Sequence, residues 1–221
     1  MGETVLTPDQ RIALDMVGGN EVLRTTFYLS GGTALAEFYL RHRYSEDLDF
    51  FTSSNEFPQL AVEEFVATLR QRLLADEVIY RRLHDRRIFF FRKGEGELKV
   101  EFTRYPFAQL RTSQYHYGIA VDSLYDIAAN KLMALMDRIE SKDFIDLYFI
   151  FREAAVSLDD LLAAARQKFG VTVDPLALGS EFAKIRGIES LPRMIKPLDV
   201  ATLKEFFTEL AKSLGPRMFS A

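Results

Sequence analysis

The segment that most constrains the fold is YLSGGTALAEFYLRHRYSEDLDFFT, from Tyr28 to Thr52. A short β-rich run ends in Ser-Gly-Gly-Thr, a helical apolar pattern follows, and a second β-rich run carries Asp47 and Asp49. Aspartate is a poor strand former, and a carboxylate is rarely buried without a partner. The segment therefore predicts a strand, a tight glycine turn, a helix and a second strand, with two acidic side chains that need a counter-charge.

The two aspartates are candidates for binding a divalent cation. Side chains alternate between the faces of a strand, so Asp47 and Asp49 point to the same side, whereas Leu48 and Phe50 face the core. Like charges on one face repel unless a cation lies between them, and carboxylate oxygens suit Mg²⁺ or Mn²⁺. A third acid, Glu101, occurs in the β-like run LKVEFTRY. If that run lies beside the aspartates, the three carboxylates share one edge, as a two-metal phosphoryl-transfer site requires.

The turn Ser30-Gly31-Gly32-Thr33 is suited to a phosphate group. Glycines let backbone N–H groups approach phosphate oxygens, and the helix that begins near Thr33 directs its positive end toward them. Ser30 and Thr33 add hydroxyl donors. Taken alone, each feature has a simpler explanation: a tight turn, a solvated strand edge or an exposed strand residue. Their occurrence together and in this order favours a functional site.

Composition restricts the class of protein. The 28 Lys+Arg and 32 Asp+Glu residues give a formal net charge of −4, which argues against a surface that coats nucleic acid throughout. The chain has no cysteine, so disulfides and thiolate metal sites are excluded. The sequence contains neither a P-loop motif nor a G-x-G-x-x-G motif. It also shows no signal peptide and no apolar stretch of membrane-spanning length, so we expect a cytoplasmic protein.

The pattern divides the chain into two regions. Residues 1–118 read as an α/β core with an N-terminal helix, for which Thr7 and Gln10 form a capping-box pattern. Residues 119–221 read as a helical region packed on that core. We therefore expect an α+β fold, with a mixed sheet flanked by helices and a C-terminal helical bundle.

Four short motifs resemble those of a known family. S-G-G-T followed by S-x-D-L-D-F is similar to motif I of the DNA polymerase β-like nucleotidyltransferases, and more narrowly of the AbiEii/AbiGii-type toxin nucleotidyltransferases. Lys99-Val100-Glu101 resembles the second motif, K-x-D, with Glu in place of Asp. The helix DIAANKLMALMDR, with Lys131 and Arg138, resembles the third. KDFIDLYFI, with Asp143 and Asp146, resembles the fourth, so that the resemblance spans about residues 28–150.

The resemblance implies a nucleotidyltransferase fold and a role for each motif residue. The enzyme would move a nucleoside monophosphate from an NTP to RNA such as the tRNA 3′ end, and act as the toxin of a toxin–antitoxin or phage-defence system. A cognate antitoxin would be its partner. The implied catalytic residues are Asp47, Asp49, Glu101, Lys131 and Asp146, of which Asp47, Asp49 and Glu101 would bind Mg²⁺ or Mn²⁺. The implied nucleotide-binding residues are Ser30, Gly31, Gly32, Thr33 and Arg138.

Two other functions remain open at this point. A small-molecule nucleotidyltransferase of the antibiotic-modifying kind would share the turn and the aspartates, and a non-catalytic nucleotide-binding module would share the fold. A cluster of basic residues in Tyr80–Lys93, with Arg41, His42 and Arg43, is either a groove for an RNA backbone or a solubilising surface.

Overall fold

The computed structural model describes residues 4–215 of the chain. The chain divides into two compact units, Met1–Phe38 with Ser45–Ser123 and Tyr39–Tyr44 with Leu124–Ala221. The predicted regions 1–118 and 119–221 also include residues 1–3 and 216–221, which lie outside the described residues. The first unit ends at Ser123, whereas the predicted boundary lay at residue 118, because the last strand of its sheet spans Ile119–Val121.

A seven-stranded mixed sheet forms the centre of the first unit. Its strands are β1 (Tyr28–Ser30), β2 (Asp47–Thr52), β3 (Glu77–Leu83), β4 (Arg86–Lys93), β5 (Gly96–Arg104), β6 (Gln114–His116) and β7 (Ile119–Val121). They lie in the order β3-β4-β5-β2-β1-β7-β6. Strand β2 pairs with β5 in parallel and β1 pairs with β7 in parallel, whereas the other neighbouring pairs are antiparallel. The predicted α+β class with a mixed sheet is confirmed.

Strand β2 lies at the middle of the sheet, and its side chains alternate between buried and half-buried positions. Leu48 and Phe50 are fully buried, and Phe50 stacks on Phe102 of β5 with the ring centroids 5.1 Å apart. Full burial of a side chain of this size stabilises the fold by roughly 1.5–3 kcal/mol. A one-residue slip would bury Asp47 and Asp49 instead, so the apolar residues fix the register that places both aspartates on the other face.

Four α-helices accompany the described part of this sheet: α1 (Pro8–Gly19), α2 (Glu21–Thr26), α3 (Gly31–Leu35) and α4 (Gln59–Leu73). The predicted capping box is present, because the Thr7 side chain accepts from the backbone N–H of Gln10 and the Gln10 side chain accepts from that of Thr7. A π-helical turn, Ala36–Leu40, follows α3 directly. Helix α4 buries an apolar stripe on the sheet, where Phe65 contacts Phe102 edge-on at 5.5 Å.

The second unit is a helical bundle. Its helices are α5 (Leu124–Asp137), α6 (Ser141–Glu153), α7 (Leu158–Phe169), α8 (Pro175–Ala183) and α9 (Val200–Ser213), with a 3₁₀ turn at Lys184–Gly187. Phe207 of α9 contacts Phe144 of α6 at 5.0 Å and Phe182 of α8 at 5.4 Å, and all three rings are fully buried. The predicted C-terminal helical bundle is therefore confirmed. Among the helices described between residues 4 and 215, none is long and apolar enough to cross a membrane.

Candidate active site

The glycine turn and the second aspartate of β2 are in direct contact. Strand β1 ends at Ser30, and Gly31 continues with φ of +74°, a conformation that favours glycine. A Cβ atom at Gly31 would lie 2.3 Å from Oδ2 of Asp49, far inside van der Waals contact. A side chain at position 31 would therefore require the Asp49 carboxylate to move.

The hydroxyl groups of the turn make hydrogen bonds within the unit. Ser30 is fully buried, and its Oγ donates to Oδ2 of Asp122 at 2.9 Å. Thr33 is also buried, and its Oγ1 donates to the backbone carbonyl of Asp47. Gly32 is buried between them. These contacts hold the turn against β2, and the predicted role of the four turn residues in binding a nucleotide stays a prediction.

Glu101 lies beside Asp49 in the parallel register of β2 and β5, but its carboxylate is engaged. Arg86 donates to it from Nε at 2.6 Å and from Nη2 at 2.7 Å, and the Thr103 hydroxyl donates to Oε1 at 2.6 Å. Burial opposes ionisation of this carboxyl group, yet the hydrogen bonds from Arg86 and Thr103 outweigh it and lower the pKa of Glu101. Glu101 is therefore an ionised carboxylate held in a fixed position.

Lys99 lies in the second motif but is not among the predicted site residues. It lies opposite Asp47 on β5, and its Nζ donates to Oδ2 of Asp47 at 2.9 Å and lies 3.7 Å from Oε2 of Glu101. Burial acts to lower the pKa of Lys99, but the charges of Asp49, Asp47 and Glu101 outweigh it and raise the pKa. The period-two spacing of Lys99 and Glu101 was the available signal, because it places both side chains on one face of the strand.

The donor set fits a divalent cation, although its atoms are not gathered around a metal position. Within residues 4–215, no group of three or more His, Asp or Glu side chains has that arrangement. The ammonium of Lys99 instead stands between Asp47 and Glu101, as a cation in contact with carboxylates. Oxygen donors of this kind suit Mg²⁺ and Mn²⁺. The predicted metal role of Asp47, Asp49 and Glu101 stays a prediction.

The predicted residues of the third and fourth motifs form a buried ion-pair cluster in the helical unit. Lys131 of α5 lies 2.8 Å from Oδ1 of Asp143 and 2.7 Å from Oδ2 of Asp146, both on α6. Burial acts to lower the pKa of Lys131, but the two aspartates outweigh it and raise the pKa. The Lys131 side chain is 8% exposed and both carboxylates are buried, so this cluster has little access to solvent.

Asp146 also binds the segment Tyr39–Tyr44, which belongs to the same unit. His42 Nε2 lies 2.7 Å from Oδ1, and Arg43 donates from Nε at 2.7 Å and from Nη2 at 2.8 Å. Burial alone would raise the pKa of Asp146, but the charges of Lys131 and Arg43 hold it well below its usual value. Burial also lowers the pKa of His42, so the ring is neutral and donates from Nε2.

Two residues of the candidate basic groove, His42 and Arg43, are buried. His42 and Arg43 are buried against Asp146, so neither is available to an RNA backbone. Arg81 and Arg82 of β3 are exposed, whereas Arg86 is held by Glu101. Arg138, the remaining nucleotide-binding candidate, is 40% exposed and donates to Asp143 at 2.9 Å.

Known proteins resemble this chain in sequence and in fold. It is 32% identical over 166 residues to "Uncharacterized protein aq_aa25" of Aquifex aeolicus (strain VF5), covering 74% of this chain and 76% of that protein. The crystal structure of JHP933 from Helicobacter pylori has a TM-score of 0.60 and 18% identity, covering 96% of this chain and 91% of that one. A crystal structure of an H. pylori protein provisionally designated a nucleotidyltransferase has a TM-score of 0.59 and 19% identity, covering 97% and 98% of the two chains.

The two crystal structures establish a shared fold, since identity at this level says nothing further about function. The sequence match is more specific. A family model described as the nucleotidyl transferase AbiEii toxin of type IV toxin–antitoxin systems matches residues 13–218, and the chain therefore belongs to the AbiEii nucleotidyltransferase toxin family, as its motifs predict.

Proposed function

We propose that the protein transfers a nucleoside monophosphate from an NTP to an acceptor hydroxyl and releases pyrophosphate. The observation that carries the proposal is the contact between the Gly31 turn and the Asp49 carboxylate, with Asp47 on the same face of β2. A turn that opens a helix suits a triphosphate, and the carboxylates beside it suit the divalent cation that accompanies a triphosphate. Membership of the family supports the same reaction.

The turn Ser30–Thr33 is the proposed triphosphate-binding element. The first backbone N–H groups of a helix have no acceptor within the helix. Helix α3 begins at Gly31, and the Ser30 side chain makes no capping hydrogen bond because its hydroxyl donates to Asp122. In the proposal, backbone N–H groups of Gly31, Gly32 and Thr33 bind phosphate oxygens, while the Ser30 and Thr33 hydroxyls keep the turn in place.

Asp47, Asp49 and Oε2 of Glu101 are the donors that would hold Mg²⁺ or Mn²⁺. When bound, such an ion stabilises the charge that develops on the reacting phosphate and lowers the pKa of the acceptor hydroxyl. The chain contributes the fixed placement of the oxygen atoms. Leu48 and Phe50 anchor the central strand, and Arg86 with Thr103 fixes the Glu101 carboxylate in its ionised form.

The helical unit supplies residues with two different proposed roles. Arg138 has an exposed guanidinium group, which suits direct binding of a nucleotide phosphate. Lys131 and Asp146 are buried in an ion-pair cluster, so we assign them a positioning role. Through Asp146 they fix Arg43 and thereby the Tyr39–Tyr44 segment.

RNA, and in particular the 3′ end of tRNA, is the proposed acceptor. The family description supports a toxin role with a cognate antitoxin as partner. The exposed Arg81 and Arg82 of β3 offer guanidinium groups to a phosphate backbone. Growth arrest on expression, and its relief by the product of an adjacent gene, would be the cellular counterpart of this activity.

The reaction can be tested with the purified chain and α-³²P-labelled NTPs, supplied one at a time with Mg²⁺ or Mn²⁺. Total tRNA, other RNA and an aminoglycoside serve as separate acceptors. We expect label in tRNA with the wild type and none with Asp47→Asn. The matched control is Asp15→Asn, since Asp15 is exposed on α1 and has no part in the site, and it should label as the wild type does. Labelled aminoglycoside would indicate a small-molecule enzyme, and absence of any transfer would indicate a non-catalytic module.

A further inference from the structure

Lys99 lies among the carboxylates of the candidate site instead of extending into water. Its side chain is 20% exposed, and its ammonium lies 2.9 Å from Oδ2 of Asp47 and 3.7 Å from Oε2 of Glu101. A lysine near the surface ordinarily keeps its ammonium hydrated while its methylene chain covers apolar surface. The position of Lys99 therefore results from the carboxylates around it.

The Lys99 ammonium lies beside two of the three carboxylates proposed to hold a metal ion. A carboxylate offers about four lone-pair positions. Oε1 of Glu101 accepts from Arg86 and from Thr103, and Oε2 accepts from Arg86. Oε2 also lies 3.7 Å from the Lys99 ammonium, which donates to Asp47. Lys99 therefore contacts Asp47 and lies near Glu101, two of the carboxylates that would hold a cation.

Charge decides which ligands such a cluster admits. Asp47 and Glu101 carry two negative charges, which the positive charges of Lys99 and Arg86 balance. A free divalent cation would meet the ammonium at contact distance, where like charges repel strongly. A metal–triphosphate complex has a net negative charge and brings phosphate oxygens that can accept from the displaced ammonium.

We propose that Lys99 closes the carboxylate site to free divalent cations and admits the cation together with the nucleotide, by exchanging Asp47 for a phosphate oxygen. The inference rests on the proposed function, because a nucleoside triphosphate is the ligand that displaces the lysine. As a result of Lys99, the metal ion and the nucleotide enter the site together, and the metal ion does not bind first. No bond is made or broken in this exchange.

The exclusion of free cations by Lys99 can be tested by measuring Mn²⁺ binding to the full chain without nucleotide. Unbound Mn²⁺ is measured by electron paramagnetic resonance. Lys99→Met and Lys99→Gln should each bind Mn²⁺ at least tenfold more tightly than the wild type. Lys99→Arg, which keeps the charge, and Lys93→Met, which removes an exposed lysine at the end of β4, should match the wild type. Adding Asp47→Asn to Lys99→Met should remove the gain. Thermal unfolding followed by circular dichroism establishes that each variant is folded.

A second experiment measures how strongly nucleotide binding increases the affinity for Mn²⁺. A non-hydrolysable triphosphate analogue should increase Mn²⁺ affinity at least tenfold more in the wild type than in Lys99→Met. Equal Mn²⁺ affinities of the wild type and the two neutral variants would overturn the inference, whether or not the protein transfers nucleotides. Tighter Mn²⁺ binding by the neutral variants in a protein without transferase activity would support the closing role of Lys99 and count against the proposed reaction alone.

Discussion

Replacing Gly31 by alanine tests whether the contact between the glycine turn and Asp49 is needed for activity. The substitution introduces a Cβ atom that displaces Asp49, in addition to the strain of alanine at a positive φ. Gly31 has φ of +74°, and its Cβ would lie 2.3 Å from Oδ2, 3.1 Å from Cγ and 3.2 Å from Cβ of Asp49. Ordinary contact begins at 3.4 Å, so the Asp49 carboxylate must move by about 1 Å.

The expected loss of stability in Gly31→Ala has two contributions. A left-handed alanine costs about 1–2 kcal/mol, and an Asp49 side chain forced from its rotamer costs roughly 0.5–1.5 kcal/mol. Gly31→Ala should therefore lower the free energy of unfolding by about 1.5–3.5 kcal/mol. A displacement of about 1 Å in a reacting group costs on the order of 100-fold in turnover, so nucleotidyl transfer should fall at least that far.

Gly94→Ala is the matched control. Gly94 belongs to the same unit, has φ of +54°, and a Cβ there meets nothing within 4 Å. The two variants share the left-handed backbone and the change in unfolded-chain entropy, so the difference in their urea unfolding free energies isolates the displacement of Asp49. Gly94→Ala should keep wild-type transfer. If Gly31→Ala matched Gly94→Ala in stability and retained transfer, the contact between the turn and Asp49 would not be the basis of the site.

Two further predictions concern the buried carboxylates. Asp146→Ala leaves the Arg43 and Lys131 charges without this partner, and it should lower the urea unfolding free energy by about 3–5 kcal/mol. The control Glu189→Ala, at an exposed position, should change that free energy by less than about 0.5 kcal/mol. Equal effects of the two substitutions would contradict a stabilising role for the ion-pair cluster. Because the pKa values of Glu101 and Asp146 are lowered on folding, their stabilisation is complete above the unfolded values near pH 4 and is lost as pH falls through the folded values. Because the pKa of His42 is also lowered on folding, urea midpoints should begin to decline as pH falls below about 6.5, where the unfolded histidine takes up a proton. They should fall further below about pH 4, and Asp146→Asn should flatten that second fall.

Local pattern was sufficient to predict the elements that carry the site. The apolar-polar alternation of β2, the glycine pair and the capping box of α1 are signals within a few residues of each other, and the structure has each element. The strands β6 and β7, three residues each around Gly118, are too short for such a pattern to register. The predicted end of the first region at residue 118 consequently omitted β7.

Long-range pairing could not be predicted in the same way. The hydrogen bonds of Asp146 to His42 and Arg43 join residues more than a hundred positions apart. Arg43 looks like one of three basic surface residues in sequence, because its own neighbourhood contains no indication of a buried acceptor. Arg86 and Glu101 likewise meet only through the antiparallel register of β4 and β5. Side-chain partners of this kind depend on topology, which one sequence does not determine.

The two aspartate pairs look alike in sequence but differ in the structure in how far their oxygens are occupied. Asp146 is fully buried and accepts from His42 Nε2, two nitrogens of Arg43 and Lys131 Nζ, so its acceptor positions are used inside the protein. Asp47 is 31% exposed and is paired with Lys99, whose side chain is 20% exposed. A carboxylate that is buried and fully paired stabilises structure, whereas one that is accessible and held by an exchangeable cation can bind another ligand. This difference favours Asp47, which shares a face of β2 with Asp49, as a reactive carboxylate and assigns Asp146 to the stabilisation of the helical unit.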